Sequence, residues 1–336
     1  MTDLRAEAVA MATAAACVAA AAVPAGAACW WLARRCREPV VPRYRKGFSR
    51  WDGFDALVLF CVCTMLSTAL AGVLDSAGYF RPIFNDVRPG ADAAEAVRFD
   101  YQNRRNTIAG LIVMPGVMAG FAWWKRFGWK ELDRERVRRF IADVSAGVGG
   151  WCVLMPLTLV VHFVVNAISQ QLDVTPDEHP LKSVKLQTAF DVALFLAGAC
   201  VVAPFFEEMA FRRVLIPWAA RRLYRPWILM AFAALMAYSR GGGHSLVGPL
   251  AFVGAAALAL FALERVARRS LRPAAAILAT ATFFAAIHAS VWPTPIPLLM
   301  LGVGLGWIVL RTKSVTAAVV THGLFNAVSA VFLLRG

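Results

Sequence analysis

The stretch TAFDVALFLAGACVVAPFFEEMAFRR, residues 188–213, decides the fold. Residues 188–206 are apolar and long enough to cross a bilayer, which takes roughly 20 residues of helix. The run then meets Glu207, Glu208 and Arg212, charges that are costly at membrane depth and therefore ask for a reason.

Working outward, comparable apolar runs occur at 8–32, 55–74, 107–124, 144–168, 247–263, 274–287 and 315–334, with shorter ones at 227–238 and 296–310. They predict an all-α fold, a polytopic transmembrane helix bundle with about eight to ten spans. Composition agrees: the 336 residues are 59% hydrophobic, with a mean hydropathy of +0.60, whereas soluble domains are about half apolar. The lipid bilayer is therefore the first partner the sequence implies.

A net charge of +14 raises the question of nucleic acid. The basic residues, however, sit in short clusters between apolar runs and not along one face. Arg34, Arg35, Arg37, Arg43, Arg45 and Lys46 follow the first run, and Lys125 to Arg139 hold a second cluster after the third. Further clusters lie at 212–225, 265–272 and 311–313, while the alternating loops are mixed (75–100) or acidic (173–178). This is the positive-inside pattern, which excludes a nucleic-acid partner and places the N-terminus outside, in a multi-pass protein expected in the bacterial cytoplasmic membrane. The first run begins after Asp3 and Glu7 and precedes strong positive charge, the reverse of a secretory leader, so it reads as a membrane anchor.

Cys17, Cys29, Cys36, Cys61, Cys63, Cys152 and Cys200 fall mostly within apolar runs, with no CxxC pair. They read as small packing hydrophobes and imply neither disulfides nor metal. By organisation, residues 1–184 are membrane helices without a recognised motif, and 185–336 carry the chemistry, with an inserted hairpin expected at 227–264. The loops 74–105 and 169–187 could each hold a short surface helix but are too short for a soluble domain.

Polar residues within the apolar runs form three patterns in order. In residues 203–213, Glu208 and Arg212 are i,i+4 neighbours with the acid first, the favourable orientation on a helix. Glu207 points about 100° away, so one carboxylate is paired and the other is free to face a cavity. Taken alone, both acids could merely mark the membrane boundary. His288 stands one turn after Phe284 in an otherwise apolar helix, where an imidazole needs polar partners. Alone it reads more readily as a hydrogen-bonded core histidine. His322 and Asn326 share one face by their i,i+4 spacing, and such pairs also serve as interhelical glue.

Together, Glu-Glu-x-x-x-Arg, Phe-x-x-x-His and His-x-x-x-Asn resemble the three signature motifs of the CPBP family of intramembrane endopeptidases, also called Abi and including type II CaaX prenyl endopeptidases. The neighbouring text is also similar: Phe211-Arg212, Gly302 to Gly306 with Trp307, Leu310-Arg311-Thr312 and Ser314. The resemblance covers roughly residues 194–331. The interval between the first two motifs is longer than in typical members, which is the ground for the hairpin at 227–264.

The resemblance implies a metal-independent hydrolase acting on a peptide or lipidated-protein substrate held at the membrane. Eukaryotic members trim prenylated CaaX proteins, and bacterial ones are associated with peptide maturation or self-immunity. By resemblance, Glu207 and His288 activate the water, His322 and Asn326 stabilise the oxyanion, and Glu208, Arg212 and Phe284 support them. The residues agree for Glu207, because a carboxylate facing a low-dielectric cavity is a stronger base than one in water.

Zinc is the competing reading, since one Glu and two His are also a zinc-hydrolase ligand set. A His-Glu-x-x-His helix is absent, the ligands would come from three helices, and Asn326 would have no role. A second alternative is a non-catalytic scaffold or binder that retains the fold; the intact four-residue set argues against it. Helix counting creates one difficulty, because it places Glu207 and His322 near the cytoplasmic side but His288 near the far end of its helix. Extension of the 265–272 segment into the cytosol would resolve it. His162 and Asn166 repeat the His-x-x-x-Asn spacing without the flanking text and read as helix–helix hydrogen bonding. His244, beside three glycines, and His179, in an acidic loop, are assigned no role.

Overall fold

A computed structural model of the chain describes residues 53–80, 95–124, 134–171, 189–240, 246–267 and 272–335. The expected first span at 8–32, its basic loop, the acidic loop at 173–178, His179, His244, Cys17, Cys29 and Cys36 lie outside the described residues.

Among the described residues every regular element is a helix. They are α1 (Gly53–Ser76), α2 (Glu95–Trp124), α3 (Arg134–Gln171), α4 (Ala189–Ala220), α5 (Arg225–Arg240), α6 (Val247–Ala267), α7 (Arg272–Ala286), α8 (Pro295–Thr312) and α9 (Val315–Arg335). Each apolar run within the described residues corresponds to one helix. Four stretches, Arg139–Gln171, Ala189–Ala220, Val247–Arg265 and Pro295–Thr312, are long and apolar enough to cross a membrane. Three more apolar helical stretches are shorter: Cys61–Ser76, Arg272–Ala286 and Val315–Val331. The residues 227–264 form most of a pair of helices, α5 and α6, packed on each other and on α7.

Helix α7 lies at the centre. It packs against α5, α6, α8 and the last turns of α4, and alanines along it are buried on all sides, as expected for a core helix. Glycines let its neighbours come close. A Cβ on Gly302 would fall 3.0 Å from Ala281 Cβ, and one on Gly306 would fall 3.0 Å from Ile277 Cγ2. Gly304, on the opposite face of α8, is covered by Leu154 of α3, whose Cδ2 would lie 2.3 Å from a Cβ.

Helix α9 packs along α3 and against the middle of α4. Thr321 Oγ1 donates to the Gly147 carbonyl of α3 at 2.8 Å, and Ser314 Oγ donates to Asp143 Oδ2 at 2.7 Å. On the other side, α1 and α2 pack as a pair. Tyr101 donates to Asp75, Arg105 Nη1 donates to the same carboxylate at 2.9 Å, and Arg104 approaches Asp191 of α4 at 3.6 Å. The polar text at 95–105, expected as loop, is thus the first three turns of α2. The charges of Arg104 and Arg105 are compatible with a helix because their partners lie on α4 and α1.

Helix α4 departs most from the sequence expectation. The apolar run ends at residue 206 and the i,i+4 pairing carries the helix to Arg212, but the helix continues beyond the charges to Ala220. It does so with two π-helical turns, Gly198–Val202 and Met209–Leu215, on either side of Ala203–Glu208. Such turns are rare and often occur at functional sites.

Candidate active site

The three patterns meet where α4, α7 and α9 converge. Glu208 and Arg212 are both fully buried, with Arg212 Nε 3.1 Å from Glu208 Oε2. The contact is a close ion pair whose atoms are not aligned as a hydrogen bond, since Glu208 Oε2 and both Arg212 Nη atoms have no hydrogen-bond partner. The guanidinium instead lies over the Phe284 ring, with Cζ 4.6 Å from its centroid. Stacking on an aromatic face suits a weakly hydrated planar cation. This pair is the one the i,i+4 spacing predicts.

A contact that the spacing does not reveal links Glu208 to α9. His322 Nδ1 lies 2.9 Å from Glu208 Oε1, and His322 is itself buried. An ionised carboxylate only accepts, so Nδ1 carries the proton and donates. That bond fixes the ring's orientation and turns Nε2 toward Glu207, whose Oε2 is 3.6 Å away, outside hydrogen-bond range. The Glu207 side chain is 26% exposed, compared with 0% for Glu208. The two adjacent acids thus occupy different environments: Glu208 is enclosed by Arg212 and His322, and Glu207 opens to one side of the same imidazole.

Phe284 connects the remaining member. Its ring is 5.7 Å from that of His322 and 5.2 Å from that of His288, both edge-on. His288 follows the last turn of α7 and its Nδ1 lies 2.9 Å from the Phe284 carbonyl. A carbonyl only accepts, so Nδ1–H donates and Nε2 is the ring nitrogen left for another partner. The structure therefore brings His288 to the same aromatic residue that His322 and Arg212 touch.

Asn326 Nδ2 donates to the Ala199 carbonyl of α4 at 2.8 Å, which uses one of its two N–H groups. By contrast, His162 and Asn166 on α3 bond to each other at 3.0 Å. Two residues that the motif reading missed also shape the site. Pro204 lies between the π turns, and Gly323 is pressed against the Cys200 carbonyl, which would be 2.4 Å from a Cβ. A proline and a glycine inside apolar runs were the available signals.

No group of three His, Cys, Asp or Glu side chains among the described residues is arranged to hold a metal ion. Glu208 is taken up by Arg212 and His322, and Nδ1 of each histidine is already bonded, which leaves Glu207 and the two Nε2 atoms as the groups able to meet a water or an ion.

Compared with known families, residues 189–271 and 259–328 match the one described as type II CAAX prenyl endopeptidase Rce1-like. The two pieces overlap between the first and second motifs. Comparisons with curated proteins and with solved structures find no match. Residues 189–328, which carry all three motifs and the helices that bring them together, match the Rce1-like type II CAAX prenyl endopeptidase family, and this match with the long apolar helices supports an integral membrane protease of that general type.

Proposed function

We propose that the chain is a glutamate-type intramembrane endopeptidase that cleaves a prenylated or otherwise membrane-anchored peptide, without a metal. The observation that carries the reading is His322 held at Nδ1 by buried Glu208 and facing Glu207 through Nε2. Peptide hydrolysis needs an activated water, a base and donors to the oxyanion. Glu207, the more open acid, and His288, with Nε2 free to accept, take the water's proton. An oxyanion donor on His322 must be Nε2–H, and since Nδ1 already donates, the ring acts as an imidazolium. Glu208 and Glu207 supply the compensating charge. The second N–H of Asn326 completes the pair of donors.

Arg212 and Phe284 act through these residues. Arg212 balances the enclosed carboxylate, and Phe284 separates the two imidazoles while excluding water. With the basic clusters on the cytoplasmic side, the site opens toward the cytosol, the N-terminus is outside and the membrane is that of a bacterial cell.

The test uses purified full-length protein and a farnesylated peptide ending in a CAAX sequence. Glu207→Ala and His288→Ala are each expected to abolish cleavage while the protein still inserts and folds. Activity that survives both substitutions ends the reading. Elemental analysis with a chelator control addresses the zinc alternative: stoichiometric metal together with chelator-sensitive cleavage would replace the glutamate mechanism.

A further inference from the structure

The middle of α4 turns toward α9 two carbonyls that residue 204 cannot bond, and the cause is a single residue. In an α-helix the N–H of residue 204 would bond the carbonyl of residue 200, and in a π turn that of residue 199. Position 204 is proline and has no N–H. The preceding donor does not help, because Ala203 N–H turns back five residues to Gly198 O. Ala199 and Cys200 therefore offer carbonyls that residue 204 cannot bond. Both face α9: Asn326 Nδ2 donates to Ala199 O at 2.8 Å, and Gly323 lets Cys200 O approach to where a Cβ would be 2.4 Å away. Unpaired carbonyls at membrane depth are costly, so this seat favours one register of α9 over others.

We propose that Pro204 is a positioning residue, whose missing N–H opens the Ala199 and Cys200 carbonyls as a seat that fixes the Asn326 amide and sets His322 against Glu208. The inference rests on the catalytic reading above for the role of Asn326. An acceptor at Ala199 dictates that the amide presents its NH2 end, so the second N–H is directed by the first. Lying between Gly323 and Thr321, His322 is placed in depth by the same seat.

The experiment is a double-mutant cycle of Pro204→Ala and Asn326→Ala in the full chain, read on the farnesylated peptide. Pro204→Ala restores an N–H that competes for the seat. It is expected to lower kcat about tenfold with KM changed less than about twofold. Asn326→Ala should then cost clearly less in the Pro204→Ala background than in the parent. Full activity of Pro204→Ala, or losses that simply multiply, would overturn the proposal.

If the parent protein leaves the peptide intact, the substrate reading fails separately and the cycle is read by thermal unfolding. Asn326→Ala must then lower the midpoint more in the parent than in Pro204→Ala, and equal shifts reject the seat. Should Pro204→Ala not fold, Gly323→Ala probes the seat from α9, with a lower kcat at near-constant KM expected. Unchanged kcat in that variant would also refute it.

Discussion

Helices α3 and α9 carry the same five-residue spelling, a histidine followed one turn later by an asparagine, with opposite outcomes. On α3, His162 and Asn166 are closed on each other at 3.0 Å, and His162 lies among exposed Val160, Phe163 and Val164. On α9 the two side chains part company. His322 is buried and reaches Glu208, and Asn326 reaches the Ala199 carbonyl. The spacing only ensures that two polar groups share a face. A neighbouring helix that offers partners turns that face into a site, and a face without such partners satisfies itself.

The largest expected difference is catalytic. His322→Leu should reduce cleavage of the farnesylated peptide by about a thousandfold or more, because both the oxyanion donor and the group facing Glu207 are lost. Initial rates on equal amounts of folded protein measure it, and a retained rate would make the two helices equivalent.

Next in size is the effect of stranding a buried charge. Arg212→Met leaves the Glu208 carboxylate enclosed with only His322 beside it, and removal of one partner of a buried pair costs about 3–5 kcal/mol. Detergent-titrated unfolding should show that loss. Glu207→Gln, at the more open position, should stay within about 1 kcal/mol of the parent in the same titration. Equal destabilisation by the two substitutions would contradict the different enclosure of the two acids.

A smaller effect concerns what holds α9 to α3. Thr321→Val removes the hydrogen bond to Gly147 O with little change in shape, and interhelical bonds of this kind contribute about 0.6 kcal/mol in membranes. A loss of that order, with cleavage retained, is expected. Smallest of all, His162→Leu combined with Asn166→Leu should change stability by less than about 0.5 kcal/mol and leave the cleavage rate unaltered. A large loss of activity there would show that the α3 pair serves the reaction after all.

Much of the molecule was legible in the sequence. The run at 315–334 is nearly the helix Val315–Arg335, and the short run at 296–310 falls within Pro295–Thr312. Apolar length predicts these helices because, in lipid, a segment must satisfy its own backbone hydrogen bonds. The Glu208–Arg212 pair was legible for a similar local reason, since both residues lie one turn apart on one helix.

Two features were not legible. The run at 188–206 gave no sign that its helix would continue past Arg212 to Ala220 with its charges buried, because part of what offsets them comes from α7 and α9. The Glu208 partner on α9 is 114 residues away in sequence. Nor did the text around Pro204 show that its missing N–H would be matched by Asn326 and Gly323.

The sequence by itself determined that this is a bundle of apolar helices, which residues in it are expensive to bury, and that Glu208 has Arg212 within a turn. Only the tertiary structure decided that His322 is shared between two glutamates, that Phe284 brings His288 to the same place, and that the α3 copy of the motif is closed on itself. The reason is that helix formation depends on residues a few positions apart, whereas a buried polar group is stabilised by whichever side chain packing delivers to it.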